Sequence, residues 1–275
     1  MIRRILVGLA NAEHADSATE TAIGLARIHQ AELTGMTVLD VDRLGATGPV
    51  PIGAGEAASE LREHRITEAK KTIQEIQDKF IVACETAGIP HRVERDEGDP
   101  FEFFENQTRY HDLVLCGLSY LFEHGVVDEP PAELVRLVEA GVRPLLTVPA
   151  EPRKIHRVLI AYSGSMESAK AMKQFVQMHL WPDVVLQVVT FEGAHGEPEQ
   201  LLQSAAYYCE RHGYQVDTKH IDTHAYANLL SYAEQWKADL IVMGNSNRNL
   251  LLRRIFGETM LHVIQHTSCP LFLAQ

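Results

Sequence analysis

The chain has 275 residues, 45% of them hydrophobic, which is enough for one large domain or two of ordinary size with a well-buried core. A net charge of −12 sets the surface against nucleic acid and anionic lipid. No run approaches the roughly 20 apolar residues of a membrane span. The four cysteines, Cys84, Cys116, Cys209 and Cys269, form no CxxC pair, as expected of reduced core thiols.

The opening, MIRRILVGL, has two arginines and a short apolar run, superficially like a signal peptide. Glu13 and Asp16 follow and no cleavage site is evident, so a buried first strand is the better reading and the cytoplasm the expected location. From there, apolar strand runs alternate with helical patterns. The first half predicts strands near 3–9, 33–39, 91–95, 112–116 and 144–148, with helices near 15–30, 58–87, 99–109 and 130–140. The second half predicts strands near 156–162, 184–190, 215–220, 239–243 and 270–274, with helices near 165–179, 196–212, 224–236 and 258–266. Strands 112–116 and 239–243 are apolar almost throughout, as strands covered on both faces must be. Such alternation gives parallel strands with right-handed crossovers and helices on both faces.

The two halves repeat one pattern. Arg4-Ile5-Leu6-Val7 is answered by Arg157-Val158-Leu159-Ile160, and Cys84-Glu85-Thr86-Ala87-Gly88 by Cys209-Glu210-Arg211-His212-Gly213. Asp112-Leu113-Val114-Leu115-Cys116-Gly117 is answered by Asp239-Leu240-Ile241-Val242-Met243-Gly244, and Arg143-Pro144-Leu145-Leu146 by Cys269-Pro270-Leu271-Phe272. The spacing falls from 153 residues at the first pair to 125–127 at the later three, so the first copy carries extra sequence. The Gly- and Pro-rich segment 44–55 is the obvious part of it and reads as a loop. Residues 148–154, with Pro149 and Pro152, stop strand pairing and mark the boundary between a domain at 1–150 and a domain at 154–275.

Two αβ copies, each ending in D-L-[VI]-[VL]-x-G, a helix, then x-P and a last apolar strand, resemble a tandem universal stress protein. The stretch IAYSGSMESAKAM (160–172) is similar to the family's opening strand and turn, and GNSNRNLLLRRIFGET (244–259) to its nucleotide loop, G-x2-G-x9-G-[ST]. The resemblance implies two Rossmann-like, adenine-nucleotide-hydrolase-like α/β domains, each a five-stranded parallel sheet flanked by helices. It implies further that they pack face to face as a pseudo-dimer within the chain, through the apolar final strands. A further homodimer is open. Some members of the family hold ATP or AMP, with magnesium; others hold no nucleotide and act through protein partners.

Carried onto this sequence, the family pattern marks Ser163, Val189, Met243, Gly244, Asn247, Arg248, Gly257, Glu258 and Thr259 as nucleotide-site positions. Gly244 and Gly257 keep the family spacing, and Arg248 matches a position often basic. Asn247 stands where a glycine belongs; asparagine tolerates positive φ, but its side chain takes space a phosphate would use. Glu258 replaces a small hydroxyl residue; a carboxylate suits a helix N-terminus and competes with phosphate for the same N–H groups. Thr259 offers a hydroxyl in its place. Ser163 fills the position of an aspartate that contacts base or ribose, Tyr162 either stacks on a base or fills the pocket, and Val189 is a pocket wall.

The first copy departs further. Ala10-Asn11-Ala12 replaces the opening turn, and Pro130 stands where a glycine thirteen residues past Gly117 would fall, so no nucleotide is expected there. His262 and His266, spaced i, i+4, lack the HExxH context of a metal site and read as surface histidines, as do His220 with His224 and Cys209 with His212. No nucleophile elbow, Walker loop or paired carboxylates appear, so no catalytic residue is assigned. Three functions remain: a nucleotide-binding stress-response regulator, a nucleotide-free protein-interaction module, and a weak ATPase.

Overall fold

The structure, a computed structural model, describes residues 2–9, 12–41, 44, 54–117, 137, 142, 144–244 and 258–274. The first half runs β1 (Arg4–Gly8), α1 (Ala12–His29), β2 (Glu32–Leu39), α2 (Gly55–Ala87), β3 (His91–Glu97), α3 (Pro100–Thr108), β4 (Leu113–Gly117) and β5 (Leu145–Val148). The second runs β6 (Arg157–Ala161), α4 (Met166–Met178), β7 (Val185–Phe191), α5 (Pro198–Arg211), β8 (Gln215–Ile221), α6 (Ala225–Trp236), β9 (Leu240–Gly244), α7 (Glu258–His266) and β10 (Leu271–Ala274). The helix expected at 130–140, apart from Leu137, and most of the 44–55 loop lie outside the described residues.

Among the described residues all ten strands join one sheet, in the order β3-β2-β1-β4-β5-β10-β9-β6-β7-β8. Within each half every pair is parallel; β5 and β10 pair antiparallel, with Phe272 opposite Leu146. This corrects two expectations. There is one ten-stranded mixed sheet, not two separate five-stranded sheets, and the halves meet edge to edge, not face to face. The final strands do form the contact, as their apolarity suggested. The physical reason is that each half's faces are already covered by helices, while the rims of β5 and β10 carry backbone N–H and C=O groups that need partners. Thr147 adds to the seam: its Oγ1 accepts from the Leu271 N–H at 3.1 Å, fully buried.

The pleat sends alternate residues to opposite faces, and each face has a core shared by both halves. On the first face, Ile5, Val7, Leu115, Leu146, Phe272, Val242 and Ile160 pack beneath α1, α2, α4 and α5. On the second, Leu6, Val114, Leu145, Leu273, Ile241 and Val189 pack beneath α3, α6 and α7. A buried contact also ties helix α1 across the seam: His29 Nε2 donates to the Leu180 carbonyl at 3.1 Å.

The repeated aspartates have a structural purpose. The Asp112 carboxylate accepts from the N–H groups of Arg3 and Arg4 at 2.7 and 3.0 Å, and Asp239 accepts from His156 and Arg157 at 2.9 Å each. Each carboxylate thus anchors the entry of its half's central strand. No helix among the described residues is long and apolar enough to cross a membrane.

Candidate functional site

In the second half the strand order β8-β7-β6-β9-β10 reverses direction between β6 and β9. Crossovers leave opposite ways at such a point and open a crevice beyond the strands' carboxyl ends. Ser163 follows β6 and Gly244 ends β9, so these two positions flank that crevice. Because β5 and β10 run antiparallel, the matching end of the first half opens at the opposite rim of the sheet.

The turn after β6 is tightly built. Gly164 has φ +73, and a Cβ there would meet Leu201 at 3.0 Å and the His195 carbonyl at 3.2 Å, so only glycine fits. Ser165 caps α4, its Oγ accepting from the Ser168 N–H at 3.2 Å. Three hydroxyls gather at this helix N-terminus: Ser163 Oγ lies 3.1 Å from Ser165 Oγ and 3.3 Å from Ser168 Oγ. The Ser163 carbonyl accepts from the His195 N–H at 2.8 Å, drawing the β7–α5 loop onto the turn. Tyr162 donates its N–H to the Val189 carbonyl at 2.9 Å. Its ring packs on the first-face core, where burial first and Cys209 second push its hydroxyl pKa up.

Val189 and Met243 are buried in the second-face core. Gly244 is forced by a close approach. A Cβ would sit 2.3 Å from the Glu167 carbonyl oxygen and 2.8 Å from the Ser168 nitrogen, so β9 ends directly against the first turn of α4. Glu258 opens α7 and is exposed, favourably placed against the helix dipole; Thr259 is half-buried beside it. Met260 and Val263, further along α7, enter the core that holds Val189 and Met243. Asn247, Arg248 and Gly257 lie outside the described residues, as does all of 245–257.

Thus Ser163, Val189, Met243 and Gly244 come together at the ends of β6, β7 and β9. The sequence reading did not single out Ser165, Ser168 or His195. The S-x-x-S spacing of a capped helix was a signal for the first two; nothing near His195 in sequence marked it. In the first half the counterpart glycine, Gly117, lies under His14: a Cβ there would meet the His14 Cβ at 2.7 Å.

Elsewhere, the His262 and His266 rings pack at a 35° tilt with 4.4 Å between centres, Tyr226 packs on His262 at a 36° tilt and 4.6 Å, and His266 Nδ1 donates to the His262 carbonyl. Among the described residues no three His, Cys, Asp or Glu side chains are grouped to hold a metal ion. The four cysteines are buried and unbridged. Burial pushes the Cys84 thiol up to about 11, and Cys209 and Cys269 to about 12. Cys116 is pushed up further, so none is an active thiolate.

The family model described as the universal stress protein family matches residues 1–115 and 154–275. The chain belongs to that family. Universal stress protein Slr1230 from Synechocystis is 24% identical over 237 residues, which cover 84% of this chain and 83% of its own. Universal stress protein MJ0531 from Methanocaldococcus jannaschii is 28% identical over 79 residues, 29% of this chain and 46% of that one. Among solved structures, a universal stress protein from Archaeoglobus fulgidus has the same fold across 100% of this chain and 96% of its own, with a TM-score of 0.68 at 17% identity. A functionally unknown protein from Pseudomonas aeruginosa, PA1789, gives 0.59 at 15% identity, covering 99% and 92%. The fold of a tandem universal stress protein is therefore shared over essentially the whole chain.

Proposed function

We propose that this is a cytoplasmic stress-response regulator whose second half holds an adenine nucleotide, ATP or AMP, in the crevice between β6 and β9. One observation carries the reading: Ser163 and Gly244, matched to the family's nucleotide positions, flank the point where the strand order reverses. The half-buried hydroxyls of Ser163 and Ser165 stand at a helix N-terminus, chemistry that suits a ribose or phosphate oxygen, while the buried Ser168 hydroxyl donates to the Ser165 carbonyl at 2.9 Å and braces the turn. Ser163 takes the base or ribose side. The phosphates fall to the α7 end, where Glu258 stands and where a magnesium ion would offset its charge. The first half, with His14 over Gly117, serves as scaffold. We assign no catalytic residue, and any ATP hydrolysis is slow.

Thermal unfolding with ATP or AMP, with and without magnesium, tests this. A ligand at 100 times its dissociation constant stabilises a fold by about 2.7 kcal/mol, a readable shift in Tm. The wild type is expected to shift, Ser163→Ala to shift less and Glu258→Ser to shift more. A shift only in Glu258→Ser means that Glu258 blocks a surviving site. No shift in any variant overturns nucleotide binding and leaves the interaction module as the function.

A further inference from the structure

The two ends of the ten-stranded sheet are β3 and β8. A terminal strand presents unpaired backbone groups along one side, and proteins blunt, cover or pair such a rim. Among the described residues β8 is paired on one side only, to β7, and its Gln215, Asp217, Thr218, Lys219 and His220 are exposed. Val216 packs on the first-face core and Ile221 on the second. The alternation therefore puts Val216, Thr218 and His220 on one face, and Gln215, Asp217, Lys219 and Ile221 on the other.

This rim fits a second copy of itself in one way. A twofold axis perpendicular to the sheet pairs two β8 strands antiparallel and keeps each face continuous. Residues directly opposite then share a face, so the axis must pass beside a residue. Beside Asp217 it sets that carboxylate opposite its own copy, and beside Lys219 it sets ammonium opposite ammonium. Beside Thr218 it sets Asp217 of each copy opposite Lys219 of the other, and Val216 opposite His220. Opposite charges directly across an antiparallel pair stabilise it, and like charges destabilise it.

At the other end of the sheet the matching charges are already engaged. On β3, Arg92 is paired to Glu32 at 2.9 Å, Glu94 accepts from Gln107 at 2.6 Å, and Glu97 meets Lys70 at 3.1 Å. An axis beside Val93 would set Arg92 opposite Glu94, but both are already engaged within the chain, and an axis beside the central Glu94 opposes two carboxylates. Asp217 and Lys219, by contrast, make no ion pair among the described residues.

We infer that β8 is a self-association edge, and that two chains join through antiparallel β8 strands centred on Thr218 into one twenty-stranded sheet. The inference is independent of nucleotide binding. Sedimentation equilibrium of the full chain tests it with three variants: Asp217→Lys, Lys219→Asp and the double exchange. All three changes lie on exposed side chains, so the fold is kept. Each single variant turns two attractive cross-strand pairs into like-charge pairs, and dimerisation is expected to weaken on the order of tenfold. The double variant exchanges the charges and is expected to recover wild-type association. Amide exchange in 215–221 is expected to slow with protein concentration in the wild type and the double variant. A monomeric wild type overturns the inference. So does a dimer indifferent to the single changes, or a double variant no better than the singles.

Discussion

Gly244→Ala is the sharpest probe of the packing at the crevice. The new Cβ would lie 2.3 Å from the Glu167 carbonyl oxygen, 2.5 Å from the Glu167 carbonyl carbon and 2.8 Å from the Ser168 nitrogen. All three are backbone atoms in the first turn of α4, so no side chain can swing aside. Ordinary contact needs about 3.4 Å or more, so β9 or α4 must move by about 1 Å. Overpacking of this kind costs about 1–3 kcal/mol, and rigid backbone on both sides favours the upper part of that range. Urea unfolding measures it: the midpoint should fall with the slope unchanged. Gly24→Ala is the control. Gly24 lies exposed in α1 with nothing within 4 Å of a new Cβ, so alanine there should stabilise by about 0.5–1 kcal/mol. If Gly244→Ala unfolded at the wild-type midpoint, the close approach of β9 to α4 would be refuted. The same glycine would then have to be explained by ligand access.

Three further outcomes are expected. Thr147→Val removes the acceptor for the buried Leu271 N–H at the seam and should cost about 1–3 kcal/mol in urea unfolding, still as one transition because both cores span the halves; separate unfolding of the halves would contradict the shared cores. Burial holds the pKa of His29 and of His111 below the ordinary 6.5, so the unfolded chain takes up protons at these sites before the folded chain does, and stability should fall as pH drops below about 6.5. That loss should be shallower in His29→Gln, whose amide still donates to Leu180; equal slopes in the two proteins would exclude His29 as a source. Asp239→Ala strips two backbone N–H groups of a charged acceptor at the entry to β6 and should cost about 1–2 kcal/mol, read by the same unfolding assay.

Most of the element order was legible in the sequence because strand and helix periods differ and the chain states its pattern twice. The repeat also exposed Asp112 and Asp239 before any reason for them was known; the reason, two accepted N–H groups each, needs a neighbouring strand that sequence does not display. The seam was half legible. The apolarity of Leu145–Val148 and Leu271–Ala274 reports burial, but burial on both faces of a strand says nothing about which rim it pairs along. Hence the edge-to-edge join was missed in favour of a face-to-face one. At the candidate site, Ser163 and Gly244 were marked by the family resemblance. Their neighbours were not: His195 comes from a loop some thirty residues on, and His14 reaches Gly117 across about a hundred residues. Such contacts are made by the sheet order, which sequence periodicity does not encode.

The central claim is an asymmetry: two copies of one fold, of which the second holds a nucleotide. Calorimetric titration of magnesium–ATP into the full chain tests it most directly, because it reads stoichiometry as well as affinity. The account predicts saturable binding of one nucleotide per chain, weakened by Ser163→Ala. Two nucleotides per chain, or none, would contradict it.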